Sequence, residues 1–239
     1  MDIVIPVVPS SVDDNEELKI ALRSIATHAI NKGTVWLVGN NTPAWATNVH
    51  VLHIDDPFTN NKDANIIRKV IRACADPRVS DNFMFWSDDQ VLLKGTDISK
   101  QIPVFNPRGL PQFYAAQSKN RWTSRMINTL ELVGRHGGCQ SINWDSHVPQ
   151  PINKLKFMEA MEHMPYSSCP GVCINTAYFG YIKEKPIMHQ DTVKQTFEDI
   201  IKGPINLTKP YIGYNDKGYK SGLREVLLNT FNEPCMYEK

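Results

Sequence analysis

FMFWSDDQVLL, residues 83–93, decides how the rest of the chain is read. Phe83, Met84, Phe85 and Trp86 form an unbroken apolar run, the mark of a strand buried on both faces, as in a parallel sheet covered by helices. The run stops on Ser87, Asp88, Asp89 and Gln90, and apolar character returns at Val91, Leu92 and Leu93. Neighbouring carboxylates repel each other and cannot both be buried without compensation. An exposed turn or an acidic helix cap supplies that compensation in one reading. A bound cation supplies it in the other.

Upstream, the pattern repeats. IVIPVV (residues 3–8), TVWLVG (34–39) and VHVLHI (49–54) are β-branched or apolar runs, while residues 15–30 and 62–75 have helical spacing, the first with Leu18, Leu22, Ile25 and Ala29 on one face. Strand, helix, strand, strand, helix, strand predicts an α/β fold with a mostly parallel central sheet flanked by helices. Ligands of such sheets bind beyond the carboxyl ends of the strands. Those ends here are Pro9 and Ser10, Asn40, Asp56, and the Asp88, Asp89 pair, which makes them the expected ligand-contacting positions. No G-x-G-x-x-G and no P-loop lysine follows the first strand, which argues against a dinucleotide oxidoreductase or a P-loop kinase.

Downstream, FNPRGLP (residues 105–111) reads as a proline-bracketed loop, expected to be a lid that orders over a bound ligand. Residues 119–138 read as a helix ended by glycines, with Ile127, Leu130 and Val133 as its apolar stripe and Arg121, Arg125 and Arg135 off it. With no repeat, low-complexity tract or linker, one domain is expected over residues 1–239, a nucleotide-binding half at 1–93 and an acceptor-binding half at 94–239. The net charge of +1 conceals a gradient: residues 1–93 carry eight Lys/Arg against twelve Asp/Glu, and residues 94–135 carry seven against two. That basic segment, with Arg108, Lys119, Arg121 and Arg125 interleaved with Phe105, Phe113, Tyr114 and Trp122, is either a footprint for phosphates and bases or a solvated helix face.

The five cysteines show no disulfide framework, and CPGVC (residues 169–173) lacks the second pair a structural zinc needs, so reduced thiols are expected. The absence of a long apolar run and of a basic signal-like leader predicts a cytoplasmic protein with no membrane partner.

In WDSHVP (residues 144–149), Asp145 and His147 stand two apart, a spacing that in extended backbone puts both side chains on one side. Either can accept the proton of an attacking hydroxyl; the alternative is a capping Asp145 and a structural His147. Ser167, Ser168 and the Pro170-Gly171 turn are candidates to line a sugar site. Lys217, Lys220 and Arg224 are candidate acceptor contacts.

The strand, Asp88, Asp89, Gln90, strand pattern resembles the D-x-D region of GT-A type nucleotide-sugar glycosyltransferases, with Gln90 where that motif has its second Asp. The resemblance implies a GT-A, Rossmann-like domain, a UDP-sugar donor and a Mn²⁺ or Mg²⁺ ion. It also implies a metal site at Asp88, Asp89, Gln90 and a late histidine, His189. Combined with the basic middle, SDDQ and WDSHVP make the chain look like the phage TET-associated glycosyltransferases, which implies DNA, double- or single-stranded, carrying 5-hydroxymethylpyrimidines as acceptor and the infected host's cytoplasm as location. His147, Pro149 and Lys154 followed by an amphipathic segment resemble a conserved region of the Stealth sugar-phosphate transferases, which implies the alternative of a sugar-phosphate transfer in polysaccharide synthesis. A non-catalytic nucleic-acid-binding module is the third expectation.

Overall fold

The computed structural model describes residues 1–8, 13–107, 115, 120–196 and 208–239. In chain order its elements are β1 (Asp2–Pro6), α1 (Glu16–His28), β2 (Ala29–Ile30), β3 (Val35–Val38), β4 (His50–Leu52), α2 (Lys62–Cys74), β5 (Asn82–Phe85), β6 (Gln90–Leu92), β7 (Thr96–Asp97) and β8 (Val104–Phe105). There follow α3 (Arg121–Arg135), β9 (Gln150–Asn153), α4 (Lys154–Glu162), α5 (Ile174–Tyr181), β10 (Met188–His189), β11 (Lys194–Gln195), β12 (Tyr211–Gly213) and α6 (Arg224–Thr230).

The central sheet has the order β4-β3-β1-β5-β9. Its first four strands run parallel, so their carboxyl ends share one edge, and β9 closes the far side antiparallel to β5. Alternation along β1 sends Ile3 and Ile5 to one face and Val4 to the other. Ile3 and Ile5 meet Leu18, Leu22 and Ile25 of α1, with Leu37 and Met84 in the same layer. Val4 meets Ile67 and Val70 of α2, Phe157 of α4 and Phe179 of α5, together with Trp36, Phe83 and Phe85. Each such side chain contributes about 1.5–3 kcal/mol on burial, so the two apolar layers hold the sheet flat between helices. Sheet order, helix cover and the mostly parallel pairing match the α/β expectation; among the described residues no helix is long and apolar enough to cross a membrane.

Three connections shape the carboxyl edge. Lys69 of α2 is fully buried, and its Nζ donates to the Val7 carbonyl at 2.7 Å and lies 2.7 Å from the Asp56 carboxylate. It thereby ties the exits of β1 and β4 together. Gly39, at φ +150°, leaves β3 so close to β1 that a Cβ would lie 2.7 Å from the Val7 carbonyl oxygen. A second sheet, β11-β12-β6, sets Gly213 opposite Gln90 in antiparallel register and brings the chain after β12 against the acidic turn.

Candidate functional site

The turn after β5 is stiff. Trp86 N donates to Val4 O at 3.0 Å, and its indole Nε1 donates to Gln90 O at 2.8 Å. Gln90 N bonds Ser87 O at 3.2 Å, and the Gln90 side-chain oxygen accepts from Ser87 N at 3.1 Å. Gln90 is buried at 4% exposure. The amide expected to complete a cation site therefore closes the turn instead, because a buried backbone N–H must find an acceptor. Asp88 and Asp89 are left at the apex.

Asp89 lies between two partners. Its Oδ2 is 2.9 Å from His147 Nε2, and its backbone carbonyl accepts from Tyr214 N at 3.2 Å. Its Oδ1 is buried with no hydrogen-bond donor. Burial, then the charge of Asp89, pushes the Asp88 carboxyl well above the usual carboxylate range. Across the turn, burial and the charges of Asp88 and Asp89 raise Glu17 of α1 to about 7. Burial by itself would lower His147, but the Asp89 carboxylate outweighs it and the imidazole is raised.

Residues 143–148 form the opposite wall. Trp144 is buried with its N bonded to Thr176 Oγ1 at 3.0 Å, and buried Gln150 joins Ser146 Oγ (2.8 Å) to the Val104 carbonyl (2.7 Å). The backbone is not extended there: His147 has φ +54°. The two members of the expected pair have different partners there: Asp145 accepts from the Trp122 indole Nε1, while His147 Nε2 faces the Asp89 carboxylate. The left-handed residue also brings its carbonyl against β12, where a Cβ on Gly213 would lie 2.1 Å from His147 O. Only glycine fits at 213.

Between these walls lies a cleft of about 590 Å³ lined by Asp63, Asp89, Gln90, Trp122, Asp145, His147, Asn175, Gln190, Lys194 and Asn215 among others. Five positions picked from sequence, Asp89, Gln90, Trp122, Asp145 and His147, thus meet on one site, with Asp88 beside it. The others do not join them. Asn40 bonds the Asp55 carboxylate, and Asp56 lines a separate 240 Å³ hollow with Phe58 and Asn65. His189 Nδ1 accepts from Asp191 N at 3.2 Å and its ring packs edge-on to Phe105, so it serves as a helix cap rather than a neighbour of Asp88 and Asp89. Arg125 pairs with Asp63 at 2.5 Å, with burial the leading influence raising the Asp63 carboxyl and Arg125 opposing it. Arg121 bonds the Asn60 carbonyl and lines a 440 Å³ groove with Ser167 and Pro170. Arg224 clasps Glu16 with two 2.7 Å bonds. Cys169 is exposed and Cys173 is buried. Pro9, Ser10, Arg108 and Lys119, and most of the expected lid at 105–111, lie outside the described residues.

Sequence reasoning missed Asp63, Asn175, Gln190, Lys194 and Asn215. Asp63 looks like an ordinary acidic first-turn residue of a helix. The others sit in no motif and are carried to the cleft by separate elements: Asn175 by α5, Gln190 by the short helix Gln190–Val193 after β10, Lys194 by β11 and Asn215 by the turn after β12.

A divalent cation suits the apex. One carboxylate has a buried oxygen lacking any donor, the other is disfavoured as an anion, and a cation relieves both. Among the described residues no group of three or more His, Cys, Asp or Glu side chains could hold a metal ion unaided. Substrate oxygens and water would fill the remaining positions, as hard cations in phosphate sites commonly require. No protein-family model matches the chain, and no curated protein matches it.

Proposed function

We propose that the protein is a metal-dependent glycosyltransferase that moves a sugar from a nucleotide sugar to a hydroxyl acceptor, on a GT-A-like arrangement of its sheet. The observation that carries this reading is the placement of the Asp88, Asp89 pair at the carboxyl tip of β5, with Asp89 in contact with His147 and sharing one cleft with His147 and Asp145. Asp88 and Asp89 would hold the cation, which supplies charge neutralisation for a leaving diphosphate. Asp145, steadied by the Trp122 indole, takes the proton of the acceptor hydroxyl. The acceptor oxygen then bonds to the anomeric carbon while the bond from that carbon to the phosphate oxygen breaks, and the nucleoside diphosphate departs with the electron pair. His147 holds Asp89 in position rather than acting as the base, since its Nε2 already faces that carboxylate.

The test is release of nucleoside diphosphate from a panel of nucleotide sugars, UDP-sugars first, with Mn²⁺, using Asp88→Ala and Asp89→Ala as controls. Release that both substitutions abolish is expected. Nucleoside monophosphate as the product would replace the reading with sugar-phosphate transfer. No nucleotide product from any donor would end it.

A further inference from the structure

The cleft is built for hydrogen-bond donors. Its wall contributes the carboxylates of Asp63, Asp89 and Asp145, and two amide oxygens, Asn175 Oδ1 and Gln190 Oε1, that are buried without a partner. Asn175, the second residue of α5, is only 5% exposed. Leaving a buried polar atom unpaired costs about 1–3 kcal/mol, so two such atoms on residues that line one cleft point to a ligand that pairs them. The indole of Trp122 adds a flat apolar surface on the same wall.

A polyanionic acceptor is the wrong occupant for this part of the cleft. Phosphate recognition needs cations, and each phosphate neutralised adds to affinity. Among the described residues, the cations near the cleft already have partners: Arg125 pairs with Asp63 of the lining, Arg121 bonds the Asn60 carbonyl, and Lys194, itself in the lining, donates to the Ser146 carbonyl at 3.1 Å. A sugar hydroxyl suits it, because it donates to an amide or carboxylate oxygen and accepts from an amide NH₂ with equal ease. We infer that the acceptor is an uncharged polyhydroxyl compound, a saccharide, seated on Asn175 and Gln190 beside Asp145, and not a nucleic acid. The inference rests on the glycosyltransferase reading for the word acceptor. The binding it predicts is measurable without any donor.

Saturation-transfer NMR and calorimetry with a panel of neutral oligosaccharides, against duplex DNA carrying 5-hydroxymethylcytosine, provide that measurement. Saccharide binding is expected, weakened about tenfold by Asn175→Ala and by Gln190→Ala, as the loss of one hydrogen bond requires. Gln190 is half-buried, so its variant keeps the test open if Asn175→Ala does not fold. Binding of DNA but no saccharide, binding of neither, or saccharide binding indifferent to both substitutions would overturn the inference. Saccharide binding without nucleotide release from any donor would leave it standing and sink the transferase reading alone.

Discussion

Asp2 and Asp89 sit at opposite ends of neighbouring strands and receive opposite treatment. Asp2, at the amino edge of β1, is 7% exposed and accepts from Thr34 N (2.9 Å), Trp36 Nε1 (3.0 Å) and Ser80 N (3.0 Å). Burial opposes its charge, yet these donors outweigh burial and hold the carboxyl below its usual range. Close by, Lys154 is likewise satisfied, by the carbonyls of Asp76 and Val79. At the carboxyl edge, Asp89 keeps a buried oxygen with no donor, and Asp88 and Glu17 are driven toward their neutral forms. One edge uses its carboxylate to fasten the fold; the other leaves a carboxylate oxygen unpaired and its neighbours disfavoured as anions. Unsatisfied, perturbed groups of this kind mark functional edges, whereas saturated ones mark structural joints.

The sharpest way to break this contrast is Asp89→Ala. Transfer should fall at least about a thousandfold while the melting temperature hardly moves, because metal-assisted charge stabilisation supplies several kcal/mol to the transition state and little to the fold. Equal losses of stability and activity would erase the distinction. Asp2→Ala should do the reverse: denaturant titration should show a loss of about 3 kcal/mol as three donors lose their acceptor, with activity per folded molecule retained. Gly213→Ala probes the seam between fold and site. Its Cβ would press on the His147 carbonyl, so a destabilisation of about 1–3 kcal/mol is expected together with weaker Mn²⁺ binding by calorimetry. Mn²⁺ affinity equal to wild type would show that the turn and β12 are independent.

The smallest effect concerns pH. A carboxyl whose folded pKa is raised contributes stability that is fully present below its unfolded value and is lost as pH rises through the folded one. For Glu17, whose folded value is about 7, the window runs from its ordinary 4.5 upward to that value. Between pH 5 and 8 the protein should lose about 1 kcal/mol through this residue, allowing for solvent screening. Glu17→Gln should flatten that slope, and Mn²⁺ should raise the melting temperature more at pH 8 than at pH 5, since a cation competes with protons for the same oxygens. A slope unchanged by the substitution would mean that Glu17 does not feel the acidic turn.

Much of the first half was legible because its signals are local. The apolar runs at residues 34–39 and 49–54 contain β3 and β4, those at 3–8 and 83–86 cover all but the first residue of β1 and β5, and the periodicity of Leu18, Leu22 and Ile25 picked out the face of α1 that enters the core. The edge strand β9 escaped notice because Pro151 lies within it, and a proline survives in a sheet only at such an edge. Asp89 and Gln90 were found at a strand end, Asp145 and His147 in one short motif and Trp122 in the basic segment; Asn175, Gln190, Lys194 and Asn215, which belong to no such pattern, were missed. Asn175 is ordinary in sequence and unusual only once its oxygen is enclosed without a partner. The same long-range packing misdirected the charge count: Arg125 registered as a basic residue, while its neighbour Asp63, far away in sequence, cancels it. His147 was read with the wrong backbone, since nothing in WDSHVP announces a left-handed residue.

The bond from Tyr214 N to the Asp89 carbonyl has a consequence for how the protein matures. The parallel sheet and its acidic turn draw on segments that leave the ribosome early, whereas β12 and Asn215 arrive after a long intervening stretch of chain. Closing so distant a contact is slow, because the entropy of loop closure is lost before any contact repays it. The acidic turn therefore gains its last wall only when β12 docks on β6, and Tyr211 of β12 enters the apolar layer of Ile3 and Ile5 in the same event.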